Sequence, residues 1–430
     1  FSQLLGERDS EGTPPLSVSL SLSSLFSTRA TPCRGKNMNA MFRLAIVAAL
    51  LASASAFMAP ASVNTIRAAR NVAISSHPPG LKLAAPSLRA SPAAAGALRM
   101  GQTPSTMGET IEEFVANDDP KLQKVILCLF SAVKEIAYKV RTASCEKSSC
   151  FNEFGDEQLA IDILADNVLF ANLKACGACE VASSEETPTE DPQGGSGYSV
   201  AFDPLDGSSI IDVNFSVGTI AGIWPGGTLV GVNGHDMAAS LISVYGPRTT
   251  ITIAWKDKDY AHEFLLIDDF SGNHGKWLRT NEFTAINEGR MVAPGNLRST
   301  QDNPGYMRLW NYWMENKYQL RYTGGMVPDV NQLLIKGKGI FVNPTSPAAP
   351  AKLRVLYEVL PMALLIEKAG GRSSDGRGSA LDLKTLTTED RTQVAFGSAK
   401  EVGRFDEWVG WAEPFKVSSK DDPSWKPAGK

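Results

Sequence analysis

The sequence is poor in cysteine and histidine, with six and four among 430 residues. So few cysteines exclude a disulfide framework in a chain this long. The scattered histidines and a single Cys-x-x-Cys, Cys176 to Cys179, leave no second pair to complete a zinc site. Basic residues are also short: 42 Lys and Arg face 46 Asp and Glu, and the deficit is uneven. Residues 1–100 hold ten Lys and Arg against three Asp and Glu, a net of +7, so the overall −4 leaves −11 on the remaining 330 residues. That acidic body argues against a nucleic-acid partner. It suits a protein that gathers carboxylates around metal ions. At 43% apolar and 20% charged, the composition excludes general disorder and a collagen-like repeat. The length implies two or three domains of roughly 150 residues.

The first hundred residues read as a leader. The sequence opens on Phe1, while Met38 and Met41 are better starts, so residues 1–37 are expected to be spurious. Arg43, the apolar run Leu44 to Ala52 and the small residues Ala54-Ser55-Ala56 form a signal peptide over about 38–56, too short to span a membrane. Residues 57–107 lack Asp and Glu but carry Arg67, Arg70, Lys82, Arg89 and Arg99 among Ala, Ser and Pro, which is transit-peptide composition. With Phe57 at the junction, the whole resembles the bipartite leader of plastid proteins in algae with secondary plastids. That implies the plastid stroma and no membrane attachment of the mature form; the alternative is a secreted protein with a disordered linker.

The body begins with helical spacing. Asp119-Pro120 supplies a cap and a first-turn proline, and Leu122, Val125, Ile126, Leu129, Phe130, Val133, Ile136, Ala137 and Val140 follow. A second helix is expected over 156–174, after a Ser-rich loop bearing Cys145 and Cys150. Strands are expected at 199–202, 215–223, 249–254 and 263–267. Helices return at 303–317, 329–335 and 352–369, with Gly370-Gly371 as a stop. The mix predicts layered α/β or α+β architecture. Division falls at an α/β domain over 108–278 with the metal ligands and redox loop, a substrate-binding α/β domain over 279–416, and a tail over 417–430.

Carboxylates gather in four places: Glu185-Glu186, the run Asp203-Pro204-Leu205-Asp206-Gly207-Ser208-Ser209, the pair Asp156 and Asp162, and Glu358. Pro204 fixes the backbone between two acids so that both reach one hard cation, with the Leu205 carbonyl as a neutral donor. Gly207 permits a tight turn, and Ser208 and Ser209 can cradle a phosphate. Oxygen donors without paired histidines favour Mg²⁺ or Mn²⁺. Such ions polarise a phosphoryl group for attack by water. Taken singly, these are a turn, a solvated face and a helix cap. Their coincidence with Lys352 and Arg354 points to phosphate chemistry.

The Asp203–Ser209 run resembles the signature of the lithium-sensitive, metal-dependent phosphatases, within them the sugar bisphosphatases. Asn287-Glu288-Gly289, Arg321 to Val327, and Lys352-Leu353-Arg354 leading to Tyr357-Glu358 are similar to the fructose-1,6-bisphosphatase family from about Leu122 to Phe405. The fuller wording, Arg141 to Cys150 and Tyr322 to Asn331, is similar to the plastid sedoheptulose-1,7-bisphosphatase branch. The resemblance implies a layered α-β-α-β-α sandwich and hydrolysis of the C1 phosphate of a sugar bisphosphate. It implies Glu185, Glu186, Asp203, the Leu205 carbonyl, Asp206 and Glu358 as ligands of Mg²⁺, or Mn²⁺. Asp162 with Glu186 would deprotonate the attacking water, with Asp156 beside them. Gly207, Ser208 and Ser209 would hold the cleaved phosphate. Asn287, Tyr322, Lys352 and Arg354 would hold the sugar and distal phosphate. Arg321 would reach the neighbouring subunit's site in a homo-oligomer, dimer or tetramer. Arg290 and Asn343 stand where fructose bisphosphatases carry tyrosines, which favours a seven-carbon substrate; a fructose-1,6-bisphosphatase, a dual-substrate enzyme and a silent sugar-phosphate sensor are the alternatives. Gly197 before Tyr198 replaces a lysine of nucleotide-inhibited relatives, so no strong AMP inhibition is expected. The resemblance implies a thioredoxin-controlled disulfide between Cys145 and Cys150. Cys176 and Cys179 read as thiols near a helix end, and Cys128 as core.

Overall fold

The computed structural model describes residues 108–142, 147–151, 157–268 and 274–410, with 147–151 and 157–159 described as backbone. The leader, the tail, Cys145 and Asp156 lie outside the described residues, and Cys150 is placed only by its strand.

A short helix α1 (Ile111–Phe114) precedes α2 (Pro120–Val140), where the Asp119 carboxylate accepts the Lys121 and Leu122 amides at 3.0 Å. The apolar positions of α2 from Leu122 to Ala137 are buried, as their spacing predicts. The next helix differs from expectation. Strands β1 (Lys147–Phe151) and β2 (Glu157–Leu159) pair antiparallel, so α3 (Ala160–Cys176) starts four residues later than expected.

Eight strands form the larger sheet: β3 (Cys179–Ser184), β4 (Asp191–Pro192), β5 (Tyr198–Asp206), β6 (Val217–Pro225), β7 (Ala239–Tyr245), β8 (Thr249–Trp255), β9 (Ala261–Leu266) and β10 (Trp277–Phe283). Their order is β10-β9-β8-β7-β6-β5-β3-β4, with β3 and β5 parallel and the rest antiparallel. A five-stranded sheet follows, ordered β12-β11-β13-β15-β14, from β11 (Asn287–Pro294), β12 (Gln319–Leu320), β13 (Lys338–Asn343), β14 (Arg372–Ser374) and β15 (Val394–Gly397). Helices α4 (Pro304–Glu315), α5 (Met326–Lys336), α6 (Leu360–Lys368) and α7 (Ala399–Trp408) complete the described chain.

Alternation along each strand divides the side chains between layers. Val200 and Phe202 of β5 join α2 and α3 in one core, while Ala201 turns to the other face. That second core holds α5 and α6 between the sheets, with Ile220, Trp224, Phe341 and Phe396 closing over them. Tyr306, Leu309, Trp313 and Phe405 bring α4 and α7 onto the far face of the small sheet. The result is α-β-α-β-α, as the resemblance implies. No helix among the described residues is long and apolar enough to cross a membrane.

His262 on β9 is buried between the rings of Phe114 and Tyr260, at 4.8 and 4.7 Å. Burial, with Arg279 and Lys258 nearby, pushes its imidazole down to about 4. The unfolded chain therefore binds the extra proton first as pH falls below about 6.5, and His262 loses its contribution from there down to its folded value. Stability should drop by about 2 kcal/mol between pH 7.5 and 5.0 on this account. Denaturant unfolding of the protein and of His262→Gln at both pH values measures it; equal losses in the two proteins would remove His262 as the cause.

Candidate functional site

Because β3 and β5 are parallel, with Ser184 opposite Phe202, both chains leave the sheet at one end. The Glu185 amide still donates to the Phe202 carbonyl at 3.1 Å, which sets Glu185 beside Asp203. Beyond Asp206 the chain turns at Gly207, whose φ is 81°, into a 3₁₀ turn over Ser208–Ile210. A Cβ there would stand 3.2 Å from the Gly325 Cα, so conformation and neighbour both demand glycine. Glu358 arrives from a π turn, Val355–Val359, that leads into α6. Such wide turns recur at functional sites because they re-aim one side chain within a helix.

These elements place one carboxylate oxygen from each of Glu185, Asp203 and Glu358 within 4.8 Å of one another. Asp203 also accepts the Leu205 amide at 2.9 Å. The Asp206 carboxylate accepts the Val327 amide at 2.5 Å, and so caps α5, whose own N-cap is Gly325. Arg354 ion-pairs with Glu185 and donates its amide to Glu358 at 2.5 Å. Burial pushes Asp203, Asp206 and Glu358 up, Asp206 to about 7; neighbouring carboxylates push Asp203 and Asp206 further, while Arg354 and Arg391 pull Glu358 back. Oxygen donors that resist ionisation together fit a hard divalent cation, whose charge removes the cause of the shift. The donor set, free of His and Cys, fits Mg²⁺ or Mn²⁺ rather than zinc.

Asp162 is buried in the first turn of α3, close enough for its charge to act on Asp203. Glu186 is half-buried beside Glu185. Sequence reasoning missed Asp166, one turn beyond Asp162. It accepts the hydroxyls of Ser184 at 2.6 Å and Thr187 at 3.1 Å, pinning the loop that carries Glu185 and Glu186. Its signal was the four-residue spacing on one helix face.

The second edge of the site follows β12. The Arg321 amide donates to the Val292 carbonyl at 2.9 Å, and Tyr322 is exposed next to it. Asp329, fully buried on α5, accepts the Thr323 amide at 2.8 Å and the Gly324 amide at 3.2 Å, holding the loop. It was quoted in the motif without a role. Tyr322 keeps 47% of its surface exposed, yet partial desolvation, with the charges of Asp329 and Asp206, holds it up, against Arg298. Arg298 is thus a cation at this edge that sequence reasoning missed; its only signal is the Gly295-Asn296 turn before it. Asn296 donates to the carbonyls of Pro344 and Ala349 at 2.7 and 2.8 Å, tying that turn to the segment leading to Lys352, which is exposed.

Asn287 opens β11 opposite Lys338, and the register shifts between that pair and Val292 opposite Ile340. Asn287 and Arg290 are both exposed. Asn343, at the end of β13 beside Gly295, lies at the edge. Arg354, expected with the distal phosphate, instead sits in the carboxylate cluster. Cys128 is half-buried rather than core.

Two family models match: "Fructose-1-6-bisphosphatase, N-terminal domain" over residues 103–282 and its C-terminal domain over 286–410. The chain is 54% identical over 310 residues to the chloroplastic sedoheptulose-1,7-bisphosphatase of Triticum aestivum, covering 71% of this chain and 78% of that one. It is 52% identical to the protein of the same description from Chlamydomonas reinhardtii, covering 73% and 80%. A class 1 fructose-1,6-bisphosphatase of Trichlorobacter lovleyi is 37% identical, covering 67% and 90%. Among solved structures, a Toxoplasma gondii protein described as a candidate sedoheptulose-1,7-bisphosphatase matches at TM-score 0.65 and 37% identity, covering 70% of this chain and 98% of that one. The holo form of Leishmania major fructose-1,6-bisphosphatase matches at TM-score 0.64 and 28% identity, over the same shares.

A cation that binds only the folded cluster should stabilise it, by about 2.7 kcal/mol at a hundred times its Kd. Calorimetric Tm with and without Mg²⁺ tests this. Asp203→Asn should abolish the shift; an undiminished shift in that variant would place the ion elsewhere.

Proposed function

The chain belongs to the fructose-1,6-bisphosphatase family of sugar bisphosphatases, and we propose that it removes the C1 phosphate of sedoheptulose 1,7-bisphosphate to give sedoheptulose 7-phosphate in the carbon-fixing pentose cycle. The observation that carries the seven-carbon reading is 52–54% identity to chloroplastic sedoheptulose-1,7-bisphosphatases, against 36–37% to class 1 fructose-1,6-bisphosphatases. The latter similarity also supports a second reading, a dual-substrate bisphosphatase.

In this reading Glu185, Glu186, Asp203, the Leu205 carbonyl, Asp206 and Glu358 hold Mg²⁺ or Mn²⁺. A divalent cation there supplies Lewis-acid charge to the phosphoryl oxygens. Asp162 and Glu186 accept a proton from the attacking water, with Asp156 beside them. The turn Gly207-Ser208-Ser209 offers backbone amides and hydroxyls to the cleaved phosphate. Arg354, ion-paired with Glu185, suits that same phosphate as its charge develops. Tyr322, Lys352 and Arg298 hold the distal phosphate, with Asn343 lining its pocket. Asp166 and Asp329 fix the two loops on which these groups ride, since small displacements cost orders of magnitude in rate. Arg321, exposed beyond β12, faces a neighbouring subunit of a homo-oligomer.

The same reading includes delivery to the plastid by the bipartite leader, for which the chloroplastic relatives are the support. It also includes control by thioredoxin through Cys145 and Cys150. A disulfide closing so short a loop would constrain the approach to Asp156 and α3, and its reduction would release them.

Phosphate release with Mg²⁺ and reductant should show at least a tenfold higher kcat/KM for the seven-carbon than for the six-carbon bisphosphate. Equal values would establish the dual enzyme. Arg298→Ala should raise KM for the bisphosphate about tenfold, the loss of about 1.4 kcal/mol from one charged contact, with kcat little changed. An unchanged KM would remove Arg298 from the distal pocket. Asp203→Asn should lower kcat by at least about 10³ with the fold intact.

Cys145→Ser should give an enzyme fully active without reductant. If that variant still needs dithiothreitol, the loop is not the switch.

A further inference from the structure

Proline within a sheet is confined to edges and bulges, because it has no amide proton for the ladder. Pro204 on β5 sits in such a bulge. Asp203 pairs with Ile220 of β6 and Asp206 with Gly218, so Pro204 and Leu205 together oppose the single residue Thr219. The extra residue decides where the acids point. In a regular strand, residues three apart face opposite sides. Across this bulge Asp203 and Asp206 follow Ile220 and Gly218, which share a face, so both carboxylates turn towards the layer between the sheets. Leu205 packs instead in the first core. A bulge also deprives backbone groups of their ladder partners, and here a side chain replaces one. The Thr219 hydroxyl donates to the Pro204 carbonyl at 2.8 Å, and its oxygen lies 2.8 Å from the Tyr245 hydroxyl. Thr219 has a single hydroxyl proton, given to Pro204, so the Tyr245 phenol donates to Thr219. The Thr219 amide donates to the Ser243 hydroxyl oxygen at 3.1 Å. All three side chains are buried, and burial pushes the Tyr245 phenol up, so it keeps its proton at neutral pH.

We propose that Thr219, oriented by Tyr245 and Ser243, is a positioning residue for the divalent cation: its hydroxyl holds the bulge that aims Asp203 and Asp206 at one ion. This role rests on the metal reading of the acidic cluster. Pro204 lies between the two acids, so a shift of its peptide displaces the Asp203 carboxylate, the Leu205 carbonyl and the Asp206 carboxylate together. Mg²⁺ demands near-ideal octahedral geometry, which makes its affinity a sensitive report of that shift. A loss of the hydroxyl also leaves the Pro204 carbonyl buried without a partner, and that penalty falls on the same peptide.

Thr219→Val keeps the shape of the side chain and removes the hydroxyl, whereas Thr219→Ser keeps the hydroxyl. Titration calorimetry of the full chain with Mg²⁺ should give a Kd about tenfold higher for Thr219→Val than for the parent, a loss of about 1.4 kcal/mol. Thr219→Ser should stay within about twofold of the parent, and Tyr245→Phe, which frees the Thr219 rotamer but leaves its bond to Pro204, should rise about threefold. At saturating Mg²⁺ the KM for the bisphosphate should stay within about twofold of the parent in all three, with the loss appearing in kcat. Thermal unfolding without Mg²⁺ isolates a merely structural role: a lower Tm in Thr219→Val with an unchanged Mg²⁺ Kd would overturn the proposal, as would equal weakening in Thr219→Ser. If Thr219→Val does not fold, Tyr245→Phe decides, and an unmoved Kd there overturns it. Mg²⁺ binding by the parent that survives Asp203→Asn would instead remove the metal reading, and this role with it.

Discussion

Burying Asp203, Asp206 and Glu358 together strips each carboxylate of water while holding like charges close. That repulsion has to be met by donors fixed elsewhere in the fold, because a buried unpaired charge is among the most costly features a protein can carry. Arg354 meets part of it through Glu185 and through its own amide to Glu358. The first turn of α5 meets another part through Val327. The remainder suits a divalent cation. Each partner lies on a different element, so the acidic cluster fastens the two sheets and the helices between them.

The capping of α5 by Asp206 joins the halves of the site. Asp206 belongs to the large sheet, and α5 packs between the sheets. The same helix carries Asp329, which holds the amides of Thr323 and Gly324 and with them Tyr322. A short chain of hydrogen bonds thus runs from the acidic cluster to the loop that carries Tyr322. A helix N-terminus suits this connection because its free amides donate to a carboxylate without any further donor. On the opposite side Asp166 does the same for the Glu185-Glu186 loop through two hydroxyls. Both loops are therefore held by buried acids, Asp166 on one side and Asp329 on the other.

Much of this was legible in one dimension. The helical spacing of Leu122 to Ala137 and the β-runs of β5, β6, β8 and β9 set the layers, because periodicity reports which face is buried. The acids Glu185, Asp203 and Glu358 could be named because carboxylates followed by Gly and Ser mark metal and phosphate chemistry whatever the fold. Arg354 shows the limit. It was grouped with Lys352 as part of a substrate cradle, yet the fold carries it to Glu185, a partner distant in sequence. Arg298 carried no motif and was found only because β11 ends beside β12.

The sequence by itself determined the chemistry: an acidic body, oxygen ligands, a turn able to receive phosphate, and alternations that demand a layered α/β core. These follow from residue type and short-range period, which need no knowledge of what lies opposite. Tertiary structure alone decided which acids converge, that Asp206 caps a helix more than a hundred residues away, and which cation's charge acts on Tyr322. Those are contacts between strands in register and helices in packing, and their distances are set by the whole folded chain rather than by any segment of it.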